Sequence, residues 1–300
     1  MRWIVLAWFV ISAVYVFNRG TQRFRFWRQL SDHSTFLAPI NIWCYLLSSI
    51  KREPYIKSSW FPELEPLRVN WQNIRDEALA VDAAQKIAAA AKYTDIGFNS
   101  FFKTGWRRFY LKWYDAPHPS AESLCPYTTA LLQSIPSVKA AMFAQLPPGA
   151  SLVRHRDPYA GSVRYHLGLV TPADPKCYID VDGQQYYWRD GEAVIFDETY
   201  IHYAKNDTDM SRIVLFCDIE RPMRFRWASA VNRLVSNTLM RAAASPNEVG
   251  DRTGLLNRIF KYVYAIRRAG KTIKAWHRPT YYVVKWTLFG SVIAGVFYLI

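Results

Sequence analysis

CYIDVDGQQYYWRDGEAVIFDETYIH, residues 177–202, reads as short strands broken by tight turns. Cys177–Val181 and Gln185–Trp188 are rich in β-branched and aromatic residues, and Asp182-Gly183 between them suits the positive φ angles of a hairpin turn. Asp190-Gly191 then punctuates the chain before a third run, Ala193–Phe196. Working outward, Val138–Leu146, Val163–Thr171 and Ile213–Ile219 have the same character. Pro147-Pro148-Gly149, Asp157-Pro158 and Pro172-Ala173-Asp174-Pro175 separate them. Regularly spaced short strands with such turns predict an antiparallel sandwich or barrel. There is no βαβ alternation and no GxGxxG, which argues against a dinucleotide-binding fold. Upstream, Trp71–Tyr93 is Ala-rich without Pro or Gly and predicts a helix.

The quoted stretch ends on His202, and two other pieces belong with it. His155-Arg156-Asp157 places an imidazole and a carboxylate two residues apart, on one side of an extended segment. Two histidines and one carboxylate form the facial triad by which non-haem Fe(II) oxygenases hold iron with open positions. Arg212, ten residues after His202, stands where many such enzymes bind the distal carboxylate of 2-oxoglutarate. A guanidinium suits that task because its fork matches both carboxylate oxygens. His-x-Asp alone is a common pattern; the second histidine, the arginine and the strand-rich context raise its meaning. Asp197 and Glu198 read as turn or supporting residues. His33, His118 and His277 lack a partner at ligand spacing and are expected on the surface.

The chain has 300 residues and a net charge of +14, unevenly placed. Residues 1–60 carry 8 Lys/Arg against 2 Asp/Glu, residues 221–300 carry 14 against 2, and residues 61–220 carry 16 against 20. A nucleic-acid enzyme would put basic charge around its site. Basic charge beside apolar ends instead suits anionic lipid head groups. Cys44, Cys125, Cys177 and Cys217 show no CxxC or short spacing, so reduced thiols are expected, with Cys177 and Cys217 in the core.

Trp3–Phe17 is an uncharged apolar run followed by Arg19, Arg23, Arg25 and Arg28. At fifteen residues it falls short of the about 20 that span a bilayer, but the trailing charges and poor cleavage site favour an uncleaved anchor over a signal peptide. At the other end, Arg267, Arg268, Lys271, Lys274 and Arg278 precede the apolar Tyr281–Ile300, whose one charge is Lys285. Both basic fringes face the middle of the chain, which places residues 19–280 in the cytoplasm. Phe36–Ile50, interrupted by Pro39 and Asn41, reads equally as an interfacial segment or a buried helix. Asn257–Arg268 reads as a basic amphipathic helix suited to a membrane surface, with an ordinary packed helix as the competing reading. The expected organisation is an anchor with basic fringe (1–30), an interfacial segment and linker (31–67), a catalytic domain (68–222), a basic helical region (223–280) and a membrane segment (281–300).

Four blocks carry a resemblance: HRDP at 155–158, RYHLGL at 164–169, WRDGE at 188–192 and FDETYIH at 196–202, with GWRRFY at 105–110 besides. In these the chain resembles the aspartyl/asparaginyl β-hydroxylase family of 2-oxoglutarate dioxygenases, and within it the lipid A hydroxylases, over nearly its whole length. The resemblance implies a mainly β fold with flanking helices, a double-stranded β-helix (jelly roll, cupin-like) between N- and C-terminal membrane helices. It implies Fe(II) bound by His155 and His202, with Asp157 completing the triad. Arg212 would hold the far carboxylate of 2-oxoglutarate, with Arg164 and His166 near its other end. Arg164 pairing with Asp180 or another carboxylate, His166 as a core histidine and Asp157 as a turn residue remain open beside those roles. The family's peptide hydroxylases have glycine at the position of Asp157 and a cosubstrate-binding serine at that of Ala144. The implied reaction uses O2 to hydroxylate the 2-position of a secondary acyl chain of lipid A, releasing succinate and CO2. It would take place on the cytoplasmic face of a bacterial inner membrane, with a membrane lipid as substrate and no nucleic acid or obligate protein partner. A peptidyl hydroxylase and a non-catalytic anion-binding jelly roll are the alternatives.

Overall fold

The structure, a computed structural model, describes residues 1–89, 95–116 and 118–299. Its strands are β1 (Tyr55–Ile56), β2 (Arg107–Trp113), β3 (Val138–Leu146), β4 (Ser151–His155), β5 (Ser162–Val170), β6 (Cys177–Val181), β7 (Gln184–Tyr187), β8 (Ala193–Phe196), β9 (His202–Asn206) and β10 (Arg212–Glu220). They form two antiparallel sheets, in the orders β1-β8-β5-β10-β3-β2 and β4-β9-β6-β7. From β3 to β10 the chain changes sheet at every connection except the β6–β7 hairpin. That winding is a jelly roll. The hairpin turns on Asp182 and Gly183, with φ of +55° and +88°, as the Asp-Gly signal predicts.

Helices precede, cover and follow the sheets: α1 (Arg2–Asn18), α2 (Phe26–Leu30), α3 (His33–Phe36), α4 (Ala38–Leu47), α5 (Glu65–Val69), α6 (Trp71–Ala83), α7 (Pro119–Leu124), α8 (Pro126–Gln133), α9 (Arg226–Val235), α10 (Leu255–Trp276) and α11 (Arg278–Leu299). Pro39 does not interrupt α4. It lies in the first turn, as Pro66, Pro119 and Pro126 do in theirs, where a missing N–H leaves no helical bond unmade. The helix expected over Trp71–Tyr93 stops at Ala83, and Tyr93 lies outside the described residues. Gln85 turns left-handed (φ +55°), and Ala88 then pairs with Arg108 beside the sheet. The tertiary pairing overrides alanine's helix propensity.

Period-2 alternation divides the long strands. Leu215, Cys217, Phe143, Tyr165 and Leu167 face outward into a core shared with Leu67, Ile74, Ala78 and Leu132 of the covering helices. Val214, Phe216, Met142 and Ala144 face inward against Ile179, Val181 and Ala204 of the second sheet. The same alternation turns Arg164, His166, Arg212 and Asp218 into the barrel. Gly168 of β5 has no room for a side chain, since a Cβ would lie 2.1 Å from the Arg189 carbonyl. The crossing segment thus lies directly on the strand.

No helix among the described residues is long and apolar enough to cross a membrane, so the spans expected at both ends have no such helix to carry them. The fringe residue Arg19 is also not at a surface. Its guanidinium is buried, donating to Asp197 (2.7 Å) and Thr199 (2.9 Å) and stacked between Tyr45 and Tyr200 at 4.1 and 3.8 Å. Arg221 donates to the same Asp197 oxygen at 2.8 Å. Arg156, between the two candidate ligands, donates to the carbonyls of Val16 and Arg19. The end of α1 is thereby tied to the strands that carry the site. Asp197→Ala would leave two buried guanidiniums uncompensated and is expected to destabilise the fold by about 3–5 kcal/mol, measurable by urea unfolding.

All four cysteines are free and buried. His118, expected on the surface, is buried, its ring nitrogens 3.1 Å from the carbonyls of Ala116 and Ser245. Among the described residues α4 is half-buried, with Trp43 and Leu46 exposed on its outer face.

Candidate active site

His155 ends β4 and His202 begins β9, and the two are direct cross-strand partners. Register shifts between Leu152 and His155, a bulge of the kind that re-aims side chains beside active sites. The rings lie 4.1 Å apart, centre to centre. His155 Nδ1 is 2.7 Å from the Val153 carbonyl and His202 Nδ1 is 3.0 Å from that of Tyr200. A proton on each Nδ1 satisfies those contacts and leaves both Nε2 lone pairs free. Asp157 Oδ1 lies 3.4 Å from His155 Nε2 and 3.9 Å from His202 Nε2. These three residues can each offer one ligand atom within 4.8 Å of the others, as a metal ion requires.

The second oxygen of Asp157 is held from behind. Arg164 Nη2 donates to Oδ2 at 2.6 Å, and Arg164 also contacts Glu198 and reaches Asp218 at 3.0 Å. Ser162 donates to Glu198 at 2.7 Å and Tyr114 to Asp218 at 3.0 Å. Arg164 therefore pairs with three carboxylates, none of them Asp180. Burial works against the Asp157 carboxylate, yet Arg164 and the two histidines hold its pKa below the usual range. Glu198 is pushed well up by burial, and Asp218 is raised for the same reason. Arg164 thus faces one carboxylate held ionised, Asp157, and two acids whose burial favours the protonated form, Glu198 and Asp218.

Arg212 and His166 stand outside this carboxylate network. Arg212 is 2% exposed, its guanidinium lies 4.3 Å over the Trp188 ring, and its Nε has no partner. No carboxylate pairs with it among the described residues, and burial lowers its pKa to about 10. Both ring nitrogens of His166 are buried and unpartnered, between Phe196 and Phe216 at 5.0 and 5.2 Å. Buried polar groups are normally satisfied, so these donors wait for a ligand. Arg212, His166, Arg164 and the His155–Asp157–His202 cluster line one cavity together with Ala144. Phe98, Phe101, Trp106, Leu152 and Phe216 supply its apolar wall. Those wall residues had no signal in the sequence apart from their alternation; Asp218, a lone acid in the apolar run Ile213–Ile219, did.

Burial, and then the neighbouring His202, lower the His155 pKa from 6.5 to about 3, and His202 and His166 are also lowered. A lowered folded pKa means that the neutral ring is favoured on folding. The stability it brings is complete above pH 6.5 and is lost as pH falls toward about 3. Metal-free protein is expected to lose stability through that window, and His155→Gln to flatten the loss, in denaturant titrations at stepped pH.

The jelly roll thus carries inside its mouth a His-Asp-His cluster that could hold a metal ion. Residues 68–222, just over half of the chain, match the family model for aspartyl/asparaginyl β-hydroxylases, and the chain belongs to that family. It is 42% identical over 122 residues to an ornithine lipid ester-linked acyl 2-hydroxylase of Rhizobium tropici, covering 40% of this chain and 43% of that protein. It is 28% identical over 187 residues to human aspartyl/asparaginyl beta-hydroxylase, covering 59% of this chain and 24% of that one. The matches thus span less than half the length of these relatives. Among solved structures, a Pseudomonas putida prolyl-4-hydroxylase aligns with 51% of this chain and 87% of its own at a TM-score of 0.33 and 18% identity.

Proposed function

We propose that the protein is an Fe(II)- and 2-oxoglutarate-dependent hydroxylase acting at the 2-position of an ester-linked acyl chain of lipid A. The observation that carries the reading is one shared cavity. His155, Asp157 and His202 offer a ligand set, and the unpaired Arg212 and His166 line the same space. The donor set fits the metal: two neutral imidazoles and one carboxylate suit Fe(II) and leave positions open. When bound, Fe(II) with 2-oxoglutarate and O2 supplies the oxidising power that replaces C–H by C–OH, with succinate and CO2 as coproducts.

The chain's own residues position and protect that chemistry. Arg164 fixes Asp157 through Oδ2 and so aims Oδ1 at the histidines, while Glu198 and Asp218 fix Arg164. Arg212 offers its fork to the distal carboxylate of the cosubstrate, and His166 offers a neutral N–H nearer its other end. Ala144 takes the place of the family's serine in the cavity wall and offers no hydrogen bond there. The aromatic wall excludes bulk water.

The lipid substrate is favoured by the acyl 2-hydroxylase among the relatives and by the molecule's surface. Trp3, Ile4 and Ile11 of the uncharged run of α1 and Trp43 of α4 are exposed, and exposed Trp27, Trp227, Ile259 and Ile266 lie among Arg and Lys. Such faces seat a protein at a lipid interface on anionic head groups. Carbon 2 adjoins the ester carbonyl near head-group depth, so a site held at that interface reaches it without extracting the whole chain. The cytoplasmic leaflet is the side expected from the basic fringes. The test is mass spectrometry of lipid A and of ornithine lipid after incubation with the protein, Fe(II) and 2-oxoglutarate. Oxygen-dependent gain of one oxygen atom on lipid A supports the reading; gain on ornithine lipid alone changes the substrate; gain on neither removes it.

A further inference from the structure

Outside the active-site cavity, the fold contains a second cavity of about 450 Å³ between α1, α4 and α9, within the size range of small-molecule sites. Trp8, Trp43, Leu47, Trp227 and Val231 form its walls, with Tyr159 at one side. The Tyr159 hydroxyl donates to Asn232, and the Asn232 amide donates to the Gly161 carbonyl at 2.8 Å. Those polar side chains are spent within the wall, so the cavity selects an apolar occupant. The chain's own C-terminal helix is not that occupant, because it packs elsewhere, Trp286 on Trp27 and Phe289 on Phe36.

Charge around the cavity narrows the choice. Arg224 and Arg226 are exposed and flank the wall residues Met223 and Trp227 in sequence. Of the neighbouring arginines, Arg221 is buried on Asp197 and Arg233 pairs with Glu220 at 3.6 Å, so the rim charge is that of Arg224 and Arg226. Indoles at Trp43 and Trp227, each more than half exposed, suit the level of lipid head groups. An apolar cavity with a cationic rim, on helices whose outer faces are apolar, matches a lipid that has an aliphatic tail and an anionic head.

We propose that this cavity seats an acyl chain of an anionic membrane lipid, with the lipid's phosphate at Arg224 and Arg226. The inference rests on the acyl-lipid reading above and extends it: the enzyme holds a lipid at two places, the reacting chain at the metal site and a second chain here. The cavity is also joined to that site. Asn41 of α4 donates to the Pro158 carbonyl at 2.9 Å and accepts from the Ala160 N–H at 2.9 Å. That one side chain brackets Tyr159, two residues beyond Asp157. A seated chain therefore presses on the loop that carries the carboxylate, and gives the reacting lipid a fixed register.

The experiment uses the full-length protein with phosphatidylglycerol vesicles containing a trace of phosphatidylglycerol with a photoreactive diazirine at one acyl terminus. Crosslinked residues are mapped by peptide mass spectrometry. Crosslinks are expected at Trp43, Leu47 and Val231, with yield cut severalfold by Val231→Trp and by Ala228→Trp, which fill the cavity. Val231 is 52% exposed, so its variant tests the seat even where the buried Ala228 variant misfolds. A phosphatidylcholine probe is expected to label less well. Labelling confined to the outer faces of α1, α10 and α11, unchanged yield in Val231→Trp, or a second copy of the chain crosslinked into the cavity would each overturn the proposal. Equal labelling by the two lipids would overturn the preference for a net anionic head group at Arg224 and Arg226. Labelling needs neither iron nor 2-oxoglutarate, so its failure is separable from failure of the hydroxylase reading.

Discussion

Replacing His202 with alanine is expected to abolish succinate release and lipid hydroxylation together, with the fold retained. His202 and His155 are cross-strand partners whose free Nε2 atoms converge with Asp157 Oδ1, and alanine removes one of three ligands. Loss of residues that only support a ligand costs about 10–100-fold in metal affinity or activity, so loss of a ligand should cost more. Stability should fall little in metal-free protein, because the variant also removes a buried imidazole that has one backbone partner. Iron binding, read by titration of purified protein, and succinate release, read by its appearance, check the two halves of the prediction. Wild-type turnover in the variant would refute the metal assignment.

The second large effect is at Arg212. Arg212→Met keeps an apolar side chain of similar reach over Trp188 but removes the unpaired charge. Truncating one partner of a buried, hydrogen-bonded charge pair costs about 2–5 kcal/mol, which is roughly 30- to several-thousand-fold in the 2-oxoglutarate requirement. Iron binding should be unchanged, since Arg212 touches none of the three ligand residues. Without ligand the sign reverses. A buried guanidinium with no carboxylate destabilises the fold, so the methionine variant should be as stable as the parent or more so. The two readouts are the 2-oxoglutarate concentration for half-maximal turnover and the thermal midpoint of ligand-free protein. Unchanged cosubstrate requirement would place the distal carboxylate elsewhere.

Much of this architecture was legible in the chain because period-2 runs and turn dipeptides are local signals. Val138–Leu146, Cys177–Val181 and Ala193–Phe196 are strands with those bounds, and Asp182-Gly183 makes its hairpin. β4 and β9 were legible only as an extended segment at His155 and a strand-like run beginning at His202, without bounds: Ser151–His155 is mostly polar or exposed, and its bulge breaks alternation. The His155–Asp157–His202 cluster was readable from spacing. Its support was not, because Arg164 meets Glu198 and Asp218 only through long-range pairing of β5 with β8 and β10.

The ends were harder to read for a different reason. Arg19 looks like a fringe charge when only its neighbours are considered, yet Asp197, 178 residues away, draws it into the interior. Hydropathy reports which residues avoid water and not what covers them. On α1, Ser12 and Val16 face the protein while Trp3, Ile4 and Ile11 face outward.

The most direct test of the central claim is incubation of purified lipid A with the Fe(II)-loaded protein and 2-oxoglutarate under isotopically labelled O2. The account predicts one labelled oxygen at carbon 2 of an acyl chain, with succinate formed alongside and both lost in His202→Ala. An unmodified lipid, or oxygen drawn from water, would contradict it.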